Sequence, residues 1–494
     1  MCCGTCPAQA GNRVRRDPLE GSEAPHEQNH ARETLENTLR FANTSTKLAW
    51  IAEQARRHPE RCYTSLHHLI DEDWMREAYR CTRKDGAPGV DGVMAADYER
   101  KLEANLGDLL DRIKSGRYYA PPVRRHYIPK ADGKQRPLGI PTFEDKVAQR
   151  AIVMLLEPIY EADFLPFSYG FRPQRSAHDA LEAVNSGIMR QWHRWVIDAD
   201  VAGYFDNISH AHLRTVLDLR MKDGVVRRMI DRWLKAGVLE DGTLQRARKG
   251  TPQGGVISPL LANIFLHHVL DKWFAETVQP RLRGSSQLVR YADDFVLTFA
   301  YATDGQRVLH VLGKRLERFG LKLHATKTRY VDFRPPQGGS GRESRPSFDL
   351  LGFTHVWGRT RRGKWALRRY TAKKRFARAV KAVNDWCKKH RHLSLPAQQA
   401  HLSSVIRGHC QYYGLTGNGR RLAQFRHQMI RIWRKWLSRR SRKSHINWKR
   451  MQEVLRSHPL PTARVVHSIY VTQAKLPWEE PSASTRTLGS GAPG

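Results

Sequence analysis

Acidic residues are scarce in this 494-residue chain. It carries 48 Asp and Glu against 84 Lys and Arg, a net charge of +36 at pH 7. An excess of that size makes a polyanion the natural partner, and nucleic acid the leading one. Long apolar runs are missing too. No stretch approaches the roughly 20 residues of a spanning helix, and no basic-then-apolar signal segment opens the chain. The sequence therefore predicts no membrane partner. Cysteine is sparse: the seven, at positions 2, 3, 6, 62, 81, 387 and 410, form no paired Cys-x-x-Cys framework. Cys3 and Cys6 have the spacing of two ligands, but no second pair stands nearby to close a zinc site. Free thiols in a reducing cytoplasm are expected. The length suffices for two to four domains with real cores.

Against that basic background, one acidic stretch stands out. Leu288-Val289-Arg290-Tyr291-Ala292-Asp293-Asp294-Phe295-Val296-Leu297-Thr298-Phe299 reads as an apolar strand, a tight acidic turn and a second apolar strand. An isolated Asp-Asp turn is ordinarily just solvated. Adjacent carboxylates beside apolar runs repel each other, however, and cations relieve that cost. Two hard divalent cations held by oxygen ligands about 3.5–4 Å apart can activate a 3′-hydroxyl and stabilise a leaving pyrophosphate. Such a site needs a further carboxylate. Val196-Ile197-Asp198-Ala199-Asp200, a strand running into the turn Val201 to Ile208, offers Asp200 near its end.

The remaining chain has a readable order. Residues 1–45 are polar and charged, and a flexible leader is expected there. Helical periodicity follows from Thr46 to Arg83. Val123 to Pro141 reads as a hairpin turning at Ala131-Asp132-Gly133, with Lys130 and Arg136 placed so that both reach one phosphate group. The aromatic loop Phe164 to Pro173 leaves two readings open: a cradle for template backbone, or packing. Gly250-Thr251-Pro252-Gln253-Gly254-Gly255 precedes a helix with Ser258 as its expected N-cap and Pro259 at its first position. Its glycines let backbone approach a sugar or base, with Gln253 free to hydrogen-bond it. Beyond Arg359 basic residues crowd a helical pattern. The stripe Phe425, Met429, Trp433, Trp436 and Leu437 reads as core, and the interleaved Arg and Lys as a phosphate-facing surface. The tail from residue 476 is rich in Ser, Thr, Gly and Pro, and disorder is expected.

Taken in order, the Lys130/Arg136 hairpin, the Phe164–Arg172 loop, the Asp200 strand, the Gln253 turn, Tyr291-Ala292-Asp293-Asp294, Lys327 and Leu351-Gly352 resemble the successive blocks of reverse transcriptases. Three segments narrow the resemblance to bacterial group II intron-encoded reverse transcriptase/maturases: Ile128 to Pro141, Ser168-Tyr169-Gly170-Phe171-Arg172-Pro173, and Arg407-Gly408 to Tyr412-Tyr413-Gly414. The match covers roughly residues 46 to 470.

The resemblance implies an α+β right-hand polymerase. Fingers and palm, with an antiparallel sheet, would occupy 46–358. An α-helical thumb and maturase domain would occupy 359–475, and 476–494 would be a tail. It implies RNA-directed DNA polymerase activity on an RNA template with a DNA primer and deoxynucleoside triphosphates. It further implies binding of group II intron RNA to promote splicing, and mobility into a DNA target site. Asp200, Asp293 and Asp294 would be catalytic and would hold two Mg²⁺ ions. Lys130 and Arg136 would grip the triphosphate, Phe205 would pack on the sugar and exclude a 2′-hydroxyl, and Gln253 would contact the incoming nucleotide. Two departures stand out: Ala202 replaces the family's usual Lys two residues after the first catalytic Asp, and Pro459 to Arg464 lacks a Pro common before that Arg. No His-Asn-His endonuclease segment with paired cysteines follows Arg464, so the type without that domain is expected. Two alternatives compete: a splicing-only maturase with an idle polymerase, and a domesticated reverse transcriptase linked to CRISPR or phage defence.

Overall fold

The computed structural model describes residues 43–129, 135–240, 243–245, 250, 254–336, 346–360, 362–440 and 445–467. The expected leader, up to residue 42, and the expected tail lie outside them, as do Lys130, Gln253 and the hairpin turn 131–134. The chain divides into two compact units, one ending at Leu351 and one beginning at Gly352.

In the first unit, helix α1 spans 43–57. Then come α2 (Glu72–Arg80), α3 (Ala95–Glu99), α4 (Leu102–Lys114), β1 (Val123–Pro129), β2 (Gln135–Ile140), α5 (Phe143–Asp163) and α6 (Ala177–Met189). Next are β3 (Trp195–Asp200), α7 (Tyr204–Asn207), α8 (His210–Leu217), α9 (Gly224–Lys235), β4 (Val238–Glu240), β5 (Thr243–Gln245) and α10 (Ser258–Leu266). The last helix runs on through π-helical turns, His267–Asp271 and Trp273–Val278. The unit finishes with β6 (Ser286–Tyr291), β7 (Asp294–Phe299), α11 (Ala302–Arg318), β8 (Arg329–Asp332) and β9 (Ser347–Leu350).

Helix α5 is the central beam. Thr142 caps it by accepting from the Asp145 N–H, and Glu144 and Asp145 complement the dipole in its first turn. Val147, Ala151, Ile152, Leu155, Leu156 and Ile159 are all fully buried along it. Two four-stranded sheets belong to this unit. One has the order β2-β1-β4-β5 and includes the expected hairpin, with Ile128 opposite Arg136. The other has the order β6-β7-β3-β8, antiparallel at every pairing. Its central strand β7 buries every residue from Phe295 to Phe299, so only Asp294, at its start, meets solvent. The expected Ser258 cap differs. Ser258 is the first helical residue of α10, and Ile257 takes the capping position while its N–H donates to Gln149 Oε1 (3.2 Å).

In the second unit, β10 (Phe353–Arg359) and β11 (Trp365–Thr371) pair antiparallel and precede four helices. These are α12 (Lys373–Lys389), α13 (Leu395–Tyr413), α14 (Gly419–Leu437) and α15 (Trp448–Ser457). The aromatic stripe of α14 is core, as its period implies: Phe425, Met429, Trp433, Trp436 and Leu437 are buried, and Trp433 donates to Gln398 Oε1 (2.8 Å).

Candidate active site

Strand register assembles the acids. Residue by residue, β3 pairs with β7 and brings Asp200 opposite Asp294. On the other side of β7, Tyr291 pairs with Asp294, so Ala292 and Asp293 form a two-residue turn. Ala292 sits at φ +58°, the left-handed region that glycine usually fills in such turns. A non-glycine residue there costs about 1 kcal/mol or more, so the surrounding structure must hold the turn. The predicted strand–turn–strand and the predicted partner strand thus meet end to end.

The charges are unevenly matched. Burial pushes the Asp293 carboxyl above the usual carboxylate range. Its backbone hydrogen bond opposes this, Asp200 adds to it, and Arg136 and Lys327 pull back. Lys327 Nζ donates to Asp200 Oδ2 at 2.7 Å. The Lys327 segment is anchored to the same strand end, because His324 N–H donates to the Asp200 carbonyl (2.8 Å). Two residues back on β3, Asp198 pairs with Arg329 (2.7 Å).

Two of the nucleotide-side candidates, Arg136 and Phe205, lie on described elements. Arg136 is exposed on β2, within electrostatic reach of Asp293. Phe205 is nearly buried on α7, packed edge-on against Tyr204 with centroids 5.3 Å apart. Gln253 lies outside the described residues, but the glycines flanking it do not. A Cβ on Gly250 would meet the Phe205 carbonyl at 2.9 Å, and one on Gly254 would meet the Gly139 carbonyl of β2 at 2.4 Å. At φ +90° and +114°, these glycines bring backbone at 250 against the Phe205 segment and backbone at 254 against strand β2.

The Phe164–Pro173 loop resolves as packing at its arginine. Arg172 is buried, ion-paired to Glu161 (2.8 Å), and donates to the carbonyls of Leu165 and Ser168. The guanidinium is therefore committed to the loop itself. Phe171 remains exposed beside Tyr291, with ring centroids 6.5 Å apart.

Comparison with known proteins places these strands within a matched family region. Residues 128–355 match the family model for reverse transcriptase (RNA-dependent DNA polymerase). Protein YkfC of Escherichia coli K12 is 39% identical over 265 residues, covering 47% of this chain and 69% of YkfC. Group II intron-encoded protein LtrA of Lactococcus lactis is 39% identical over 232 residues. The chain belongs to the bacterial group II intron-encoded reverse transcriptase/maturase family. The LtrA match covers 47% of this chain and only 38% of LtrA's length. A more distant similarity, 26% over 183 residues, links it to nuclear intron maturase 2 of Arabidopsis thaliana.

Reverse transcriptases generally use divalent metal ions. Among the described residues, no three His, Cys, Asp or Glu side chains converge into a closed metal cage. The donor chemistry nevertheless fits a hard cation. Asp200 ends β3, Asp294 begins the paired strand β7 and Asp293 lies on the adjoining turn, and added positive charge would relieve the cost that raises the Asp293 carboxyl. The family's RNA and nucleic-acid substrates agree with the basic composition, and no helix among the described residues is long and apolar enough to cross a membrane. Sequence reasoning missed the Lys327–Asp200 pair. Lys327 was legible only as one block in a series, and nothing local tied it to a residue 127 positions earlier.

Proposed function

We propose that this chain is an RNA-directed DNA polymerase that also binds group II intron RNA as a maturase. One observation carries the polymerase reading: the register that sets Asp200 opposite Asp294, with Asp293 on the adjoining turn. On this reading Asp200, Asp293 and Asp294 hold two Mg²⁺ ions. Bound there, the ions would activate the primer's 3′-hydroxyl and neutralise charge on the leaving pyrophosphate. The protein's own residues do the rest. Arg136 and Lys130 take the triphosphate as charge-assisted donors. Phe205, held by Tyr204 and by the close approach of Gly250, presents an apolar wall to the sugar. Gln253 hydrogen-bonds the incoming nucleotide. Lys327, hydrogen-bonded to Asp200, would give that carboxylate up to a bound cation.

Residues 46–358 act as fingers and palm, and 359–475 as thumb and maturase domain. The leader 1–45 and the tail 476–494 flank them. The substrates are an RNA template, a DNA primer and deoxynucleoside triphosphates; the further partners are the intron RNA and its DNA target site. The thiols at Cys62, Cys81, Cys387 and Cys410 are free, which suits a cytoplasmic protein.

Purified full-length protein should extend a DNA primer on an RNA template in Mg²⁺. Asp293→Ala and Asp200→Ala should abolish extension while RNA affinity stays within about twofold, because phosphate contacts are a separate interaction. Folded wild-type protein that binds intron RNA but never extends a primer would reduce the function to splicing alone.

A further inference from the structure

The acidic turn sits in a strained conformation, and a buried arginine lies directly beneath it. Arg290, on β6, has no solvent exposure. Its Nε and Nη2 donate to the two carboxylate oxygens of Asp271 (2.8 and 2.5 Å). Asp271 is equally buried, on the π-helical continuation of α10. The third nitrogen, Nη1, donates to Asn263 Oδ1 (2.9 Å) and to the carbonyl of Ala292 (3.1 Å). Ala292 is the left-handed residue immediately before Asp293. Asn263 in turn donates through Nδ2 to the carbonyl of Gly170 (2.6 Å). Gly170 closes the circuit, since a Cβ there would fall 2.4 Å from the Ala292 backbone nitrogen. The backbone of Arg290 is itself clamped: its carbonyl accepts from Tyr169 N–H (2.8 Å) and its N–H donates to Phe167 (3.0 Å).

A buried ion pair is a poor device for stability alone, because apolar residues of similar volume often do as well or better. Here the pair does something an apolar pair cannot. It fixes a guanidinium whose remaining hydrogen bond ends on the strained turn. We infer that Arg290 is a positioning residue for the metal-binding turn. Held by Asp271 and Asn263, it locks the Ala292 carbonyl, and so sets the direction in which Asp293 presents its carboxylate. Arg290 acts through the backbone and touches neither metal nor substrate. The inference rests on the polymerase reading above, and the test separates the two.

The probe is Mn²⁺ alone, titrated into the full-length chain and followed by the electron paramagnetic resonance of the free ion. Thermal unfolding is measured on the same samples. Arg290→Met should weaken Mn²⁺ binding about 10- to 100-fold, the usual effect of losing a group that orients a ligand. It should also lower stability, since it strands the Asp271 charge. Arg290→Met/Asp271→Leu should regain the stability yet keep the weakened Mn²⁺ binding and slowed primer extension, with unchanged RNA affinity. If the double variant binds Mn²⁺ like wild type, the pair serves folding only and the inference falls. If the double variant does not fold, Arg290→Lys decides. The lysine keeps the charge but cannot span Asp271, Asn263 and Ala292 together, so wild-type Mn²⁺ binding by that variant overturns the inference equally. Equal Mn²⁺ binding by wild type and Asp293→Ala would remove the acidic turn from metal binding, which defeats the underlying reading as well.

Discussion

Replacing Lys327 by alanine should tighten metal binding. The ammonium stands 2.7 Å from Asp200 Oδ2, with the lysine side chain 60% exposed and the aspartate 29%. A pair so open to solvent contributes roughly 0.2–1 kcal/mol. A metal ion that ligates Asp200 must displace it, so the free protein holds a competitor worth that much. Removing the competitor should lower the apparent Mn²⁺ dissociation constant about 1.4- to 5-fold, the same free energy read as a ratio. The assay is Mn²⁺ titration at fixed ionic strength, repeated at higher salt, where screening should shrink the difference. Folding stability should change by less than about 1 kcal/mol. Unchanged or weaker metal affinity in Lys327→Ala would refute the competition, and with it the view that Asp200 is a ligand.

Three further outcomes are expected. Gly170→Ala places a methyl group 2.4 Å from the Ala292 nitrogen; displacing the acidic turn should cut primer extension about 100-fold with RNA affinity unaltered, as read by extension kinetics beside filter binding. RNA affinity should fall steeply with salt, by about 10³-fold or more between 50 and 200 mM if six or more phosphates are neutralised; a flat profile would refute the polyanion argument. His409, stacked on Phe425 with centroids 3.8 Å apart, is pushed down to about 4 by burial. Its unfolded value is higher, so stability is fully present above about pH 6.5 and is lost as pH falls toward 4, by up to about 3 kcal/mol. His409→Phe should reduce the pH dependence of thermal unfolding over that range, leaving the share of other histidines that burial pushes down, such as His193 and His268.

Much of this site was legible because its signals are local. An apolar run, an acidic pair and a second apolar run mark a strand–turn–strand within a dozen residues, and a continuous apolar run such as Phe295 to Phe299 fits a buried central strand. The stripe from Phe425 to Leu437 likewise announced a buried helix face. What escaped was non-local. Arg290 is a charge inside an apolar strand, and Asp271 a charge inside an apolar helix; each alone looks like an ordinary surface residue, and only the fold shows that they answer each other across 19 positions. Arg172 stood between two open readings, a template cradle and packing. The structure favours packing there, because the loop's own carbonyls and Glu161 take the arginine's donors. Ala292 gave no warning of a left-handed conformation, since alanine has no preference for one.

The π-helical turns after α10 carry a consequence for aligning this chain with its relatives. A π turn holds one residue more than an α turn in the same stretch of axis. Residues 267–278 can therefore shed or gain a residue without shortening the helix or disturbing its ends. Such a change is not neutral. Deleting one residue before Asp271 rotates that side chain by about 100° around the axis and swings it away from Arg290. A single-residue gap in this segment, which an alignment would treat like any loop indel, should thus mark a relative that supports its acidic turn by other means.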